Sequence, residues 1–515
     1  QGTRATLTLR AAGDINVDSD ILVGDASGNT ANMALSLNFF ANDQSQRDSN
    51  ADFGADQLNG SVNFNSNVRT GGGGVVASGI SVHQATGSVI ETDGGIVEFS
   101  SGSSNALGLS TLFLNDQVAN AALPDETVNP GIFIDGTIDT SRPTDAPGVG
   151  GAITLNAEAV GIQTSQSGND QVLVDTGRLE LTSNALLVSG GGNITLASGR
   201  RNSNNAGNVL LDGALLDSSR AILDDAGNVV RREGGDITID ANRLDPNDSD
   251  LTSVDIAFVP TDAMNPLTSI DEGGRIEIQN DTTIRTRGGN LTIGSSTTQT
   301  IAIQGILNTT QSTILTDGSD DLIASVDQDA VENGLLSIVA ADASGIDVDA
   351  GRFGESGITI GGAADATLIS SGITIDARNV TFSGGTNAVT LLATGDTRST
   401  ISTDLVGVAF EEGRTSFTNQ NEIRVDGDYA VTFNENTTLT AEQITISVAA
   451  APEQRNESEI AAPTATRLTF AGDDTNGTRL NADEILITVG DGTTSSENLL
   501  VIAEVDDPDF DEQRT

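Results

Sequence analysis

One pattern constrains this chain more than any other. A glycine pair, often followed by Asn or Asp, leads into an apolar–polar–apolar triplet, and the unit recurs along the sequence. It stands at Gly150-Gly151-Ala152-Ile153-Thr154-Leu155, Gly191-Gly192-Asn193-Ile194-Thr195-Leu196 and Gly234-Gly235-Asp236-Ile237-Thr238-Ile239. It returns at Gly273-Gly274-Arg275-Ile276-Glu277-Ile278 and Gly288-Gly289-Asn290-Leu291-Thr292-Ile293, with a looser copy at Gly94-Gly95-Ile96-Val97-Glu98-Phe99. Alternation of period two marks a short strand with one buried face. The glycines are expected to supply left-handed backbone at a sharp corner, and the Asn or Asp to bond locally to the turn. The pairs that open at Gly150, Gly191, Gly234 and Gly273 are almost evenly spaced, a regularity that means a solenoid, propeller or array. A propeller blade needs about four hairpinned strands per period. Short strands with one-sided turns fit a β-helix, read here as two coils of about 20 residues per repeat and about 20–25 coils in all.

The rest of the pattern agrees. Aromatics make up only 3% of the 515 residues, so the core is expected to rest on Ile, Val, Leu and Ala and not on rings. The ten prolines fall in three groups, 124–147, 246–266 and 452–508. Proline removes a ladder donor, so stretches that exclude it read as sheet. The expected organisation is N-terminal coils over 1–123 with an excursion near 33–70, coils with proline-bearing loops over 124–266, continuous β-helix over 267–451, and C-terminal coils with an acidic tail over 452–515. A hairpin is expected at Ile222–Val230, where apolar residues flank Asp224-Asp225-Ala226-Gly227-Asn228.

Composition removes several classes of function. The chain carries 73 acidic residues against 24 cations, all of them Arg, for a net charge of −49. That charge repels nucleic acid phosphates and anionic lipid. No apolar run reaches the ~20 residues of a membrane helix, so no membrane insertion is expected. Without cysteine there are no disulfides, thiolate metal sites or cysteine nucleophile, and without lysine no Schiff-base chemistry. The single histidine, His83, rules out a multi-histidine metal centre and reads as an outward strand residue. Gln1 is not an initiator methionine, so the chain reads as a processed, exported product. The lysine-free acidic surface also suits a halophilic-like, high-salt medium.

At Leu7–Val17, with the string Leu-Thr-Leu-Arg-Ala-Ala-Gly-Asp-Ile-Asn-Val, and at the Gly-Gly-Asn-Ile-Thr-Leu copies, the chain resembles the filamentous-haemagglutinin-type exoproteins, secreted adhesins of two-partner secretion systems. The resemblance covers about half the chain in scattered repeats. It implies a right-handed parallel β-helix, export across an outer membrane, an extracellular or cell-surface location, and a role in adhesion or matrix building.

The candidate sites follow from oxygen density. Thr316–Asp321 offers Asp317, Asp320 and Asp321, and Val505–Asp511 offers Asp506, Asp507 and Asp509, as candidate calcium ligands. No catalytic residue and no other cofactor is assigned. Carboxylate pairs such as Asp18/Asp20 and Asp347/Asp349 are what a polysaccharide-active β-helix lyase or hydrolase would use, but they are also what acidic turns contain. The expectation is a structural, adhesive β-helical protein and not an enzyme. Its expected partners are other copies of itself, stacked head to tail as a filament, and cell-surface glycans or other matrix components. The alternatives are the polysaccharide-active enzyme and a monomeric ligand-displaying surface rod. The strand signals Thr6–Leu9 and Asn498–Ala503, close to the two chain ends, motivate the stacking.

Overall fold

The structure is a computed structural model. It describes residues 3–23, 33–41, 60–79, 81–101, 131–143, 148–157, 160–164, 171–174, 178–199, 207–223, 229–241, 274–310, 334–340, 357–384, 386–393, 422–448, 467–470, 477–489 and 499–502. Among them there is no helix, hence none long and apolar enough to cross a membrane. The chain divides into two compact units, Gln1–Asp217 with Thr238–Ile276, and Ser218–Ile237 with Glu277–Thr515. Each is a parallel β-helix.

Among the described residues of the first unit three strands make a coil and six full coils stack, with Ile237–Ala241 adding a further first-sheet strand on Ile194–Ser198. The first sheet runs through Thr3–Arg10, Met33–Phe40, Val75–Gly79, Val97–Ser101, Ile153–Ala157 and Ile194–Ser198, every pairing parallel. The second runs through Ile15–Val17, Val62–Phe64, Val82–Gln84, Ile132–Ile134, Arg178–Leu181 and Asn208–Leu211. The third begins at Ile21–Leu22 and ends at Leu215–Asp217. The second unit repeats this plan. Its first sheet passes from Leu291–Ile293 through Leu336–Val339 to Gln443–Val448 and Glu484–Val489. Its second passes from Thr300–Ile303 to Leu499–Ile502, and its third from Thr283–Arg285 to Arg479–Asn481. Two long strands, Ile373–Ser383 and Glu422–Phe433, serve both the first and second sheets, with a register shift between Ala377 and Asn379.

The repeat is one coil, not two. Val75 pairs with Val97, so the chain between them closes one full coil. Ile153 likewise pairs directly with Ile194, although nearly twice that length of chain separates them. The surplus leaves the coil partly as an antiparallel hairpin, Val160–Thr164 with Gln171–Val174. A second hairpin, Ser219–Leu223 with Val229–Gly234, confirms the expectation at Ile222–Val230. The coil number expected from sequence therefore overcounts, because it treats these insertions as wall. Of the stretch 33–70, residues 33–41 and 60–70 belong to coils, and 42–59 lies outside the described residues. Of the prolines, Pro143 is described, in a link after the strand Thr137–Asp139.

Inward residues form columns, one side chain per coil. Leu37, Val75, Val97, Ile153 and Ile194 share one, each fully buried, while Thr154 and Thr195 point outward between them. Each such side chain contributes about 1.5–3 kcal/mol of burial. The core rests on Ile, Val, Leu and Ala, as composition leads one to expect, with a few rings placed among these columns in both units. Phe64 and Phe99 stack at 5.2 Å in the first unit, and Phe382, Phe433 and Phe470 stack at 4.6 and 4.9 Å in the second. In the second unit the parallel register superimposes Phe382, Phe433 and Phe470 in one column, whereas Phe64 of the second sheet meets Phe99 of the first sheet across the core.

The corner before the first sheet explains the glycine pairs except Gly273-Gly274, which precedes the second-sheet strand Arg275–Ile278 and has its second glycine left-handed (φ 75°). The first glycine is left-handed at Gly94, Gly191 and Gly288 (φ 97°, 93° and 119°). The second, at Gly151 and Gly289, has no such backbone; a Cβ there would collide with the carbonyl of Gly95 or Gly235 in the coil beneath. Gly235, expected to be left-handed, is not among the left-handed glycines. The following Asn or Asp bonds between coils: the Asn290 amide donates to Asp236 Oδ1 at 2.8 Å, and the Leu335 amide to Asn290 Oδ1 at 3.0 Å.

Candidate functional site

Three places among the described residues have a geometry from which a function can be argued. The first is that corner. Thr70, Thr92, Thr140 and Ser189 in the first unit, and Ser218, Thr286 and Thr309 in the second, are fully buried. Each hydroxyl donates to a corner glycine carbonyl: Gly73, Gly95, Gly151, Gly192, Gly235, Gly289 and Gly334 in turn. Sequence reasoning misses this column, although its signal is there. A Ser or Thr stands three residues before the glycine in Thr70–Gly73, Thr92–Gly95, Ser189–Gly192 and Thr286–Gly289. Neutral, buried and internally satisfied, it is structural.

The second is the corner between the second and third sheets of the first unit, where carboxylates and amides tie coils together. Asp18 Oδ1 accepts from the Asn65 side chain at 2.7 Å, and Asp20 Oδ1 from the Asn67 amide at 3.0 Å. The pair considered for acid–base chemistry is thus engaged in holding two turns in register. Asp135 accepts from Thr86 in the coil below and from Thr182 and Asn184 in the coil above, the last at 2.9 Å. Partial burial pushes its carboxyl up, but the three donors together outweigh that and hold it below the usual carboxylate range. Nearby on the third sheet, Arg69 lies 3.1 Å from Glu91, which pairs in register with Asp139. Desolvation first, and Asp93 and Asp139 besides, raise the Glu91 carboxyl despite Arg69. No group of three or more His, Asp or Glu able to hold a metal occurs among the described residues.

The third consists of the two outermost first-sheet strands. Leu7 and Leu9 lie in the same inward columns as Leu37 and Phe39, yet are 39% and 41% exposed where their successors are at 0%. In the second unit Ile485 and Ile487 lie over Ile444 and Ile446, and are 44% and 39% exposed where those are at 0%. Among the described residues no further first-sheet strand covers these core side chains.

The candidate calcium ligands Asp317, Asp320, Asp321, Asp506, Asp507 and Asp509 all lie outside the described residues, as do Asp347 and Asp349. His83 stands on the strand Val82–Gln84, half-exposed, its ring 6.2 Å from Phe133 of the next coil in an edge contact. Compared with protein-family models, curated proteins and solved structures, the chain matches none.

Proposed function

We propose that this chain is an extracellular structural protein of the adhesive or matrix-forming kind implied by its resemblance to filamentous-haemagglutinin-type exoproteins. In this reading it is exported, winds as a right-handed β-helix, and assembles end to end while its side wall meets cell-surface glycans or other matrix components. Right-handedness follows the rule for parallel crossovers. The observation that carries the reading is the uncovered core at Leu7, Leu9, Ile485 and Ile487. A solenoid protects such faces by capping or by stacking. The side wall is suited to a different task. A coil closes within the short interval from Val75 to Val97, yet long sequence stretches separate other successive strands, such as 102–130 between Val97–Ser101 and Ile132–Ile134. In this reading those stretches carry recognition.

Sedimentation velocity and negative-stain microscopy of the purified chain test the assembly. High salt is the informative condition, because it screens the repulsion of a −49 chain. End-to-end oligomers that grow with concentration are expected. Monomers alone at high concentration and high salt overturn the reading.

A further inference from the structure

We infer that the strand Thr3–Arg10 of one copy pairs in parallel with Glu484–Val489 of another, in the single register that seats Leu7 over Ile485 and Leu9 over Ile487. The inference rests on the end-to-end reading above and adds to it the strands and the alignment.

The register follows from the columns. Leu7 belongs to the column of Leu37, Val75 and Val97, and Val97 stands just past the corner glycine Gly95, second after it. Ile485 belongs to the column of Ile444, Ile423, Ile373 and Leu336, and Leu336 is likewise second after the corner glycine Gly334. The two residues therefore hold the same place in the coil. A slip of one residue would turn the apolar set outward, and a slip of two would take the corner out of line. The second sheet gives the same answer. Ile15 and Val17 are in register with Val62 and Phe64, and positions 500 and 502 are in backbone register with Leu468 and Phe470. Leu500 then falls beneath Ile15, and Ile502 beneath Val17.

Polarity and charge agree with this partner. All the inter-coil pairings are parallel, so the face that precedes Thr3–Arg10 is complementary in direction to the face that follows Glu484–Val489. The first strand carries Arg4 and Arg10, both exposed, and no acidic residue, in a chain where acids outnumber cations three to one. The other edge presents exposed Asp483 and Glu484. In the proposed register Glu484 lies diagonal to Arg4, within reach of a long side chain. Outward, Thr8 lies directly beside Leu486, which is 50% exposed.

The absence of cysteine makes the register directly measurable. Parallel neighbours lie about 4.8 Å apart, inside the ~4.4–6.8 Å range that a disulfide spans. Chains carrying Thr8→Cys are mixed with chains carrying Leu486→Cys and oxidised under native, high-salt conditions. A covalent dimer is expected. Thr8→Cys mixed with Thr488→Cys places the thiols two positions apart, beyond reach, and at least tenfold less dimer is expected. Leu7→Asp should reduce oligomers at least tenfold in sedimentation while leaving the far-ultraviolet β signal unchanged. Oligomers that cross-link equally through Thr488→Cys, or that survive Leu7→Asp, overturn the seam and leave end-to-end assembly standing. Absence of oligomers in the unsubstituted chain overturns both.

Discussion

Two corners of the first unit do the same job by opposite means. Before the first sheet, a buried hydroxyl and a glycine without room for a Cβ lock each coil on the last, with no charge involved. Between the second and third sheets, half-exposed Asp135 gathers Thr86, Thr182 and Asn184 from the coils on either side. The comparison teaches that a solenoid can fix its pitch sterically, which tolerates no substitution, or electrostatically, which tolerates many but depends on pH. An acidic chain can build on the second device readily because its donors are neutral hydroxyls and amides.

The largest effect should come from Gly151→Val, whose side chain would meet the Gly95 carbonyl and force neighbouring coils apart. We expect a loss above about 3 kcal/mol in urea unfolding, beyond ordinary overpacking. A midpoint like that of the parent would mean that the coils can separate freely. Next comes Thr140→Val, which keeps shape but removes the 2.5 Å bond to the Gly151 carbonyl. The cost should be about 1–3 kcal/mol, and Thr140→Ser should recover most of it. If both variants melt alike, the hydroxyl is not what holds this corner.

Asp135 should matter less, and only at the right pH. Its carboxyl is held below its usual range in the folded chain, so its contribution is present above the unfolded pKa and is lost as pH falls through the folded one. Because the group is half-exposed and screened by solvent, Asp135→Asn should cost about 0.5 kcal/mol or less at neutral pH. The difference from the parent should vanish in acid, as thermal melts at neutral and acid pH will read. A penalty independent of pH would assign the corner to shape and not to charge. The smallest effect belongs to the outward Thr154→Val, within about 0.5 kcal/mol of the parent by the same melts.

How much of this is legible in the sequence depends on which neighbour sets each feature. The alternation at Ile153-Thr154-Leu155 shows which face is buried, because strand geometry alone decides it. The hairpin at Ile222–Val230 is equally local, since its turn residues and apolar flanks are contiguous. The role of Gly151 escapes sequence reasoning because its constraint comes from Gly95, remote along the chain and one coil away in space. Coil length escapes it for the same reason: nothing between Gly150 and Gly191 says which residues return to the wall. Phe382, Phe433 and Phe470 look like scattered rings until the register superimposes them. As for the candidate site, acidity draws attention to Asp18 and Asp20, whose partners Asn65 and Asn67 are a coil away. The uncovered columns at Leu7 and Ile485 read in sequence as ordinary strands, since exposure is a property of what stacks on them.

The glycine-to-carbonyl contact also governs how the molecule comes together. The corner at Gly289 is shaped by the carbonyl of Gly235 beneath it, and that at Gly334 by the carbonyl of Gly289. The contact is mutual, so whichever coil forms first is expected to shape the corner of its neighbour. Growth along the stack is therefore templated, with a slow first turn and rapid additions after it, as in other one-dimensional arrays. Refolding from denaturant should show a lag that a preformed stretch of coils would shorten.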